Sequence, residues 1–125
     1  MICEAARRAK RRRAMEKSTP PTPMDILSSV SPEGARTFME HRQATLVNPL
    51  LQALPEKTKL LVGIGVAAAL GSSTCTLMWT KLARKAGASR EEIVEAVLVA
   101  RLMKMATVND TAADALAWLA DQGVA

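Results

Sequence analysis

Leu70-Gly71-Ser72-Ser73-Thr74-Cys75-Thr76-Leu77-Met78-Trp79 joins two runs of helix-forming residues. Glycine tolerates the left-handed conformation that follows a last helical turn, so Gly71 is placed to end one helix. Ser72, Ser73 and Thr74 each carry a hydroxyl able to accept from the unpaired N–H groups of the next helix, which therefore opens with Cys75 in its first turn. Aligned peptide dipoles favour a thiolate at that end of a helix, and this makes Cys75 the candidate thiol.

The segments on either side read as helices too. Leu54-Pro55 starts a helix that runs to Leu70, with Glu56 suited to its positive end. Gly63 and Gly65 inside it cost about 1 kcal/mol each relative to alanine, which predicts close approach of a neighbouring helix. The cysteine helix runs from about Ser73 to Lys85, with Cys75, Trp79 and Leu82 on one face. Ser89-Arg90-Glu91-Glu92 has the form of a capping box and starts another helix, whose inner face is Ile93, Ala96, Val97, Ala100 and Met103. A last helix is expected over Asp110 to Ala120. Upstream, Met24 to Val30 forms a short helix, Ser31-Pro32 starts one reaching about Ala44, and Asn48-Pro49 begins a brief turn or helix.

Composition bounds the class. The 125 residues suit one domain, and 49% apolar with 2% aromatic residues means a core of Ala, Leu, Val, Met and Ile. An alanine-rich, tyrosine-free chain packs helices rather than sheets, so the fold class is all-α. The net charge of +5 lies entirely in the first 17 residues, where Arg7, Arg8, Lys10, Arg11, Arg12, Arg13 and Lys17 outnumber Glu4 and Glu16. From Met24 onward ten basic and ten acidic residues cancel. Residues 1–23 are read as a basic extension that ends at Pro20, Pro21 and Pro23, and residues 24–125 as the helical domain. The arm is open to three readings: a nucleic-acid or partner-binding segment, a solvated tail, or a start lying at Met15 or Met24. No aromatic or fold-borne patch accompanies its charge, so no nucleic acid is expected as a partner.

Cys3 and Cys75 are too few for a secreted disulfide framework, and the prolines stand where a signal peptide needs its apolar stretch, so a reducing cytoplasm is the expected compartment. The apolar run from Leu60 to Leu70 spans roughly 16 Å of helix, about half of a bilayer's hydrocarbon core, which argues against a membrane span. His41, the sole histidine, has no partner at ligand spacing and reads as a solvated or capping side chain, so no metal is expected.

The run from Leu54 to Lys59, then Ala69-Leu70-Gly71, Cys75-Thr76-Leu77-Met78, and above all Gly87-Ala88-Ser89-Arg90-Glu91-Glu92-Ile93 with Glu95-Ala96 and Ala100, resembles the carboxymuconolactone decarboxylase superfamily, which includes the AhpD-like alkylhydroperoxidases. The last block is similar to that family's GAT-x-EE-I-x-EA-x-x-x-A signature. The resemblance covers roughly Pro49 to Leu119. It implies an AhpD-like bundle of about six helices, assembled as a trimer or hexamer, with no cofactor.

For the peroxidase-type members the resemblance implies a C-x-x-C pair, a histidine four residues beyond it and a glutamate one helix earlier. One thiolate attacks, the other resolves, and the two titratable groups move protons. Matched on Gly71 and Cys75, the degenerate positions are Ser72 for the first cysteine, Trp79 for the histidine and Leu60 for the glutamate. Serine forms no disulfide and an indole N–H does not titrate, so the dithiol mechanism is excluded. Cys3, beyond the proline break, is a poor resolving thiol. Cys75 is then either a single reactive thiol, reduced by an external thiol, or a packed remnant. Three functions follow from the resemblance: a weak or inactive thiol-redox protein of peroxidase type, a non-catalytic oligomer that binds a small molecule or partner, and, weakest, a decarboxylase-like lyase drawing on Lys57, Lys59, Arg101 and Lys104.

Overall fold

The computed structural model describes residues 2–123, with the side chains of residues 2 and 16–18 outside that description. Met1, one of the three candidate starts, lies outside the described residues, as do the side chains of Glu16 and Lys17. Seven helices and no strand make up the described residues, in keeping with the all-α class and close to the six helices expected. The chain forms two compact units, one up to Thr45 and the other from Leu46 onward. The division expected after Pro23 falls inside the first unit.

The first unit holds α1 (Ile2–Ser18), α2 (Pro23–Val30) and most of α3 (Pro32–Leu46). Residues 3–15 of α1 are all exposed. Thr22 and Asp25 form a capping box at the start of α2, the Asp25 N–H donating to Thr22 Oγ1 at 3.2 Å and the Thr22 N–H to Asp25 Oδ2 at 2.8 Å. The expected cap at Ser31 is present, its hydroxyl accepting from the Gly34 N–H at 3.1 Å. On α3 Ala35 is buried whereas Phe38 and Met39 are exposed. His41 is exposed.

The second unit is built on α4 (Glu56–Leu70), which packs along both α5 (Ser73–Lys85) and α6 (Arg90–Thr111) while those two touch each other only lightly. Before it, Asn48 makes a turn, its Oδ1 accepting from the Leu50 N–H and its carbonyl from the Leu51 N–H. Gly71 stands at φ +82°, as a helix stop requires, with its N–H donating to Ala68 and the Ser72 N–H to Ala67. The same pair of bonds recurs at Gly87, between α5 and α6. Ser89 and Glu92 form the expected capping box, at 3.0 and 3.1 Å.

Leu60 and Ile64 of α4, Ala83 of α5, Ala88 of the following turn and Ile93 of α6 form the core, with Leu61, Trp79 and Leu82 packed against it. Both interior glycines of α4 face a neighbour: Trp79 of α5 lies over Gly63, and the Ala96 carbonyl and Ala100 of α6 lie against Gly65. The predicted close approach is therefore met within one chain, and the glycines do not by themselves call for a helix from another subunit.

Two features differ from expectation. Ile93 is buried and Ala96 and Ala100 partly so, but Val97 and Met103 are exposed, because α6 packs chiefly on α4 and touches α5 only lightly, so the contact is little more than one helix wide. The helix expected from Asp110 begins later: α6 continues to Thr111, its turns held in part by the hydroxyls of Thr107 and Thr111 on carbonyls one turn back, and α7 (Ala113–Asp121) follows after Ala112. None of the α7 apolar residues is buried.

Candidate functional site

The site expected at the α4–α5 turn is built from four positions. Ser72 is the cap of α5, its Oγ accepting from the Cys75 N–H at 3.2 Å, and Thr76 Oγ1 donates back to the Ser72 carbonyl at 2.7 Å. Of the three hydroxyl residues able to cap, Ser72 does so. Cys75 lies in the first turn, half-buried and unbonded to another cysteine. Cys3 is likewise free, and exposed. The helix end thus supplies positive potential at Cys75, while the Ser72 side chain is occupied by the backbone.

The two remaining positions belong to the core. Leu60 is 1% exposed and is one of the two largest fully buried side chains. Trp79, one turn beyond Cys75, packs on that core with its ring over Gly63. At the two positions to which the family resemblance assigns the proton relay, the chain has an aliphatic side chain and an indole packed against their surroundings. A shallow depression of about 470 Å³ beside the turn is lined by Ala68 of α4, Gly71 and Ser72 of the turn, and Ser73, Thr76, Leu77 and Thr80 of α5, and Cys75 does not line it.

The cations considered for an acidic substrate are placed otherwise. Lys57 pairs with Glu92 at 3.2 Å, joining the first turns of α4 and α6, and the Lys59 ammonium donates to the Leu51 carbonyl. Arg101 and Lys104 sit on the exposed length of α6. The Glu92 carboxyl is held below its ordinary range, first by the Ser89 N–H that it accepts and then by Lys57. Among the described residues no three metal-ligating side chains come together.

Periodicity alone did not single out a second feature, a groove of about 470 Å³ between α4 and α6. Its walls are Leu61, Val62, Val66 and Ala69 on one side and Val99 and Met103 on the other, with Gly65, Ala96 and Ala100 as its floor and Glu92 and Glu95 at one end. The signal in the sequence was the pairing of valines at Val62 and Val66 with the small residues between them. Their outward position becomes visible only once α6 is seen to cover Gly65.

A helical unit with a helix stop at Gly71, a first-turn cysteine and a Ser89 capping box defines an all-helical fold bearing one thiol. The chain matches the model of the carboxymuconolactone decarboxylase family over residues 32–121, and it belongs to that family. The match takes in α3, upstream of the segment from Pro49 that carries the resemblance, and leaves α1 and α2 outside. No curated protein and no solved structure matches the chain.

Proposed function

We propose that this chain is a member of the carboxymuconolactone decarboxylase family without dithiol peroxidase turnover, acting as a homo-oligomer of trimer or hexamer type that binds an apolar small molecule along the α4–α6 groove. The observation that carries this reading is the burial of Leu60 at 1% exposure, at the position where the family resemblance implies a glutamate. An aliphatic side chain in a closed core moves no proton, and Trp79 adds none. The groove supports the binding reading, being apolar along its length and of the size small-molecule sites have. Its Glu95 end favours a ligand whose polar group is neutral or cationic.

One observation favours a second reading. Cys75 is half-buried rather than sealed, stands at a helix N-terminus and is free, which supports a single-thiol redox protein working with an external thiol reductant in a reducing cytoplasm. The lyase reading receives less support, since Lys57 and Lys59 are engaged by Glu92 and Leu51.

Peroxide consumption with dithiothreitol as reductant, measured for the natural chain and for Cys75→Ala, separates these readings. The expected result is equal rates. A rate abolished by Cys75→Ala, and faster than that of free cysteine at the same pH, overturns the non-catalytic reading. The groove is tested separately with N-phenyl-1-naphthylamine, whose fluorescence should rise on binding and fall back in Val66→Arg.

A further inference from the structure

We propose that α1 is a duplex-DNA-binding helix that seats in the major groove and is held by phosphate contacts on both of its sides. The sequence set nucleic acid aside for want of an accompanying patch; the structure shows instead that the charge is carried on a helix that is exposed throughout residues 3–15. Arg7, Arg8, Lys10, Arg11, Arg12 and Arg13 fill every position from 7 to 13 except Ala9. At about 100° per residue they point to about 0°, 100°, 300°, 40°, 140° and 240° around the axis, so the widest uncharged arc is about 100°.

That distribution selects the ligand. A flat anionic membrane engages one face of a helix and asks for an apolar face beneath it. In α1 the uncharged residues between Cys3 and Ala14, apart from Cys3 itself, are only the alanines 5, 6, 9 and 14. A groove walled by phosphates on two sides uses charge on opposite flanks of a helix, as Arg8 and Arg12 on one side and Lys10 and Arg13 on the other supply. The B-form major groove is about 12 Å wide and an α-helix with side chains is about 10–12 Å across, whereas the A-form RNA major groove is deep and narrow. The charge densities also match. Arg7 to Arg13 rises about 9 Å, over which a DNA duplex carries about five phosphate charges.

The helix has its own reason to take a polyanion. Arg7 with Arg11, and Arg8 with Arg12, are like charges one turn apart, an arrangement that weakens a helix in water and that phosphates neutralise. Arginine dominates the set, and its guanidinium meets phosphate oxygens in a bidentate fork.

The test is fluorescence anisotropy of a labelled 20-base-pair DNA duplex titrated with the full chain. Binding at 50 mM salt is expected to weaken about a thousandfold at 200 mM, as release of counterions from about six phosphates requires. Arg8→Gln with Arg12→Gln, and Lys10→Gln with Arg13→Gln, occupy different sides of the helix. Each pair is expected to lower the salt slope by about two, and DNA is expected to raise the far-ultraviolet helical signal. Four results overturn the proposal: no binding at 50 mM salt, a loss of slope confined to one of the two pairs, tighter binding to a 20-base-pair RNA duplex, or tighter binding to phosphatidylserine vesicles than to DNA.

Discussion

Trp79 lies against Gly63 so closely that a Cβ on Gly63 would stand 2.3 Å from its Cε3 and 2.4 Å from its Cζ3. Real Cβ contacts do not come that near, so the indole and the absence of a side chain at Gly63 are one feature of the α4–α5 packing. Alanine in mid-helix gains about 1 kcal/mol of propensity over glycine, yet displacing a packed ring costs about 1–3 kcal/mol. Gly63→Ala is therefore expected to lower stability in urea unfolding, and the loss should shrink or reverse in a Trp79→Leu background. Equal effects in the two backgrounds would show that the ring moves aside freely.

Leu60→Glu places a carboxyl at the position that the family resemblance gives to glutamate, but in a closed core. An unpaired buried charge costs about 3–5 kcal/mol, and the group takes up a proton instead, so its pKa in the folded state rises above that in the unfolded chain. The variant should consequently be less stable than the natural chain at pH 7 and recover part of the difference as pH falls toward 5. A variant equally stable at both pH values would mean that water reaches the site.

Ser72→Cys restores the C-x-x-C spacing and removes the cap of α5. Loss of a serine cap costs about 0.5–2 kcal/mol, and the second thiol arrives without a proton relay. Thermal melting should fall, while peroxide consumption should stay near that of a single thiol. Rapid turnover from this one change would refute the requirement for the relay.

Glu92 links the Ser89 cap to Lys57, and its carboxyl is depressed below the ordinary 4.5. A depressed carboxyl contributes stability that is complete above its unfolded pKa and is lost as pH falls through the folded value. The natural chain should be more stable than Glu92→Gln at pH 7, with the gap closing as the pH is lowered through the acid range below 4.5. A gap that persists at pH 2 would assign the effect to geometry rather than charge.

Local chemistry made most of the helix boundaries legible. The Gly71 stop, the Ser89 capping box and Ser31-Pro32 each act within four residues, so sequence spacing is enough to place them. Legibility fell where partners decide. Whether Val97 and Met103 face inward depends on how wide the α4–α6 contact is, and Ser72 won the cap over two equivalent hydroxyl neighbours only through local geometry. At the site, the family resemblance is what draws attention to Leu60, Ser72 and Trp79, but that Leu60 is sealed and that Trp79 occupies the space over Gly63 are facts of packing. The groove belongs to the same category, since it exists only between two elements.

The final prediction concerns assembly, and it rests on the far half of α6 together with α7. Leu102, Met105, Val108, Leu116, Trp118 and Leu119 are all more than half exposed, with Trp118 at 62%. Apolar surface costs about 25 cal/mol per Å² in water, so a concentration of exposed large side chains at one end of the chain favours association. A stable interface needs about 800 Å² from each partner, which six large side chains on two consecutive helices go far toward supplying. Light scattering should give a multiple of the 13.4 kDa chain mass. Leu102→Lys with Leu116→Lys should lower that mass while leaving the α4–α6 core and the helical signal in place. A natural chain that scatters as a monomer at micromolar concentration would refute the oligomer.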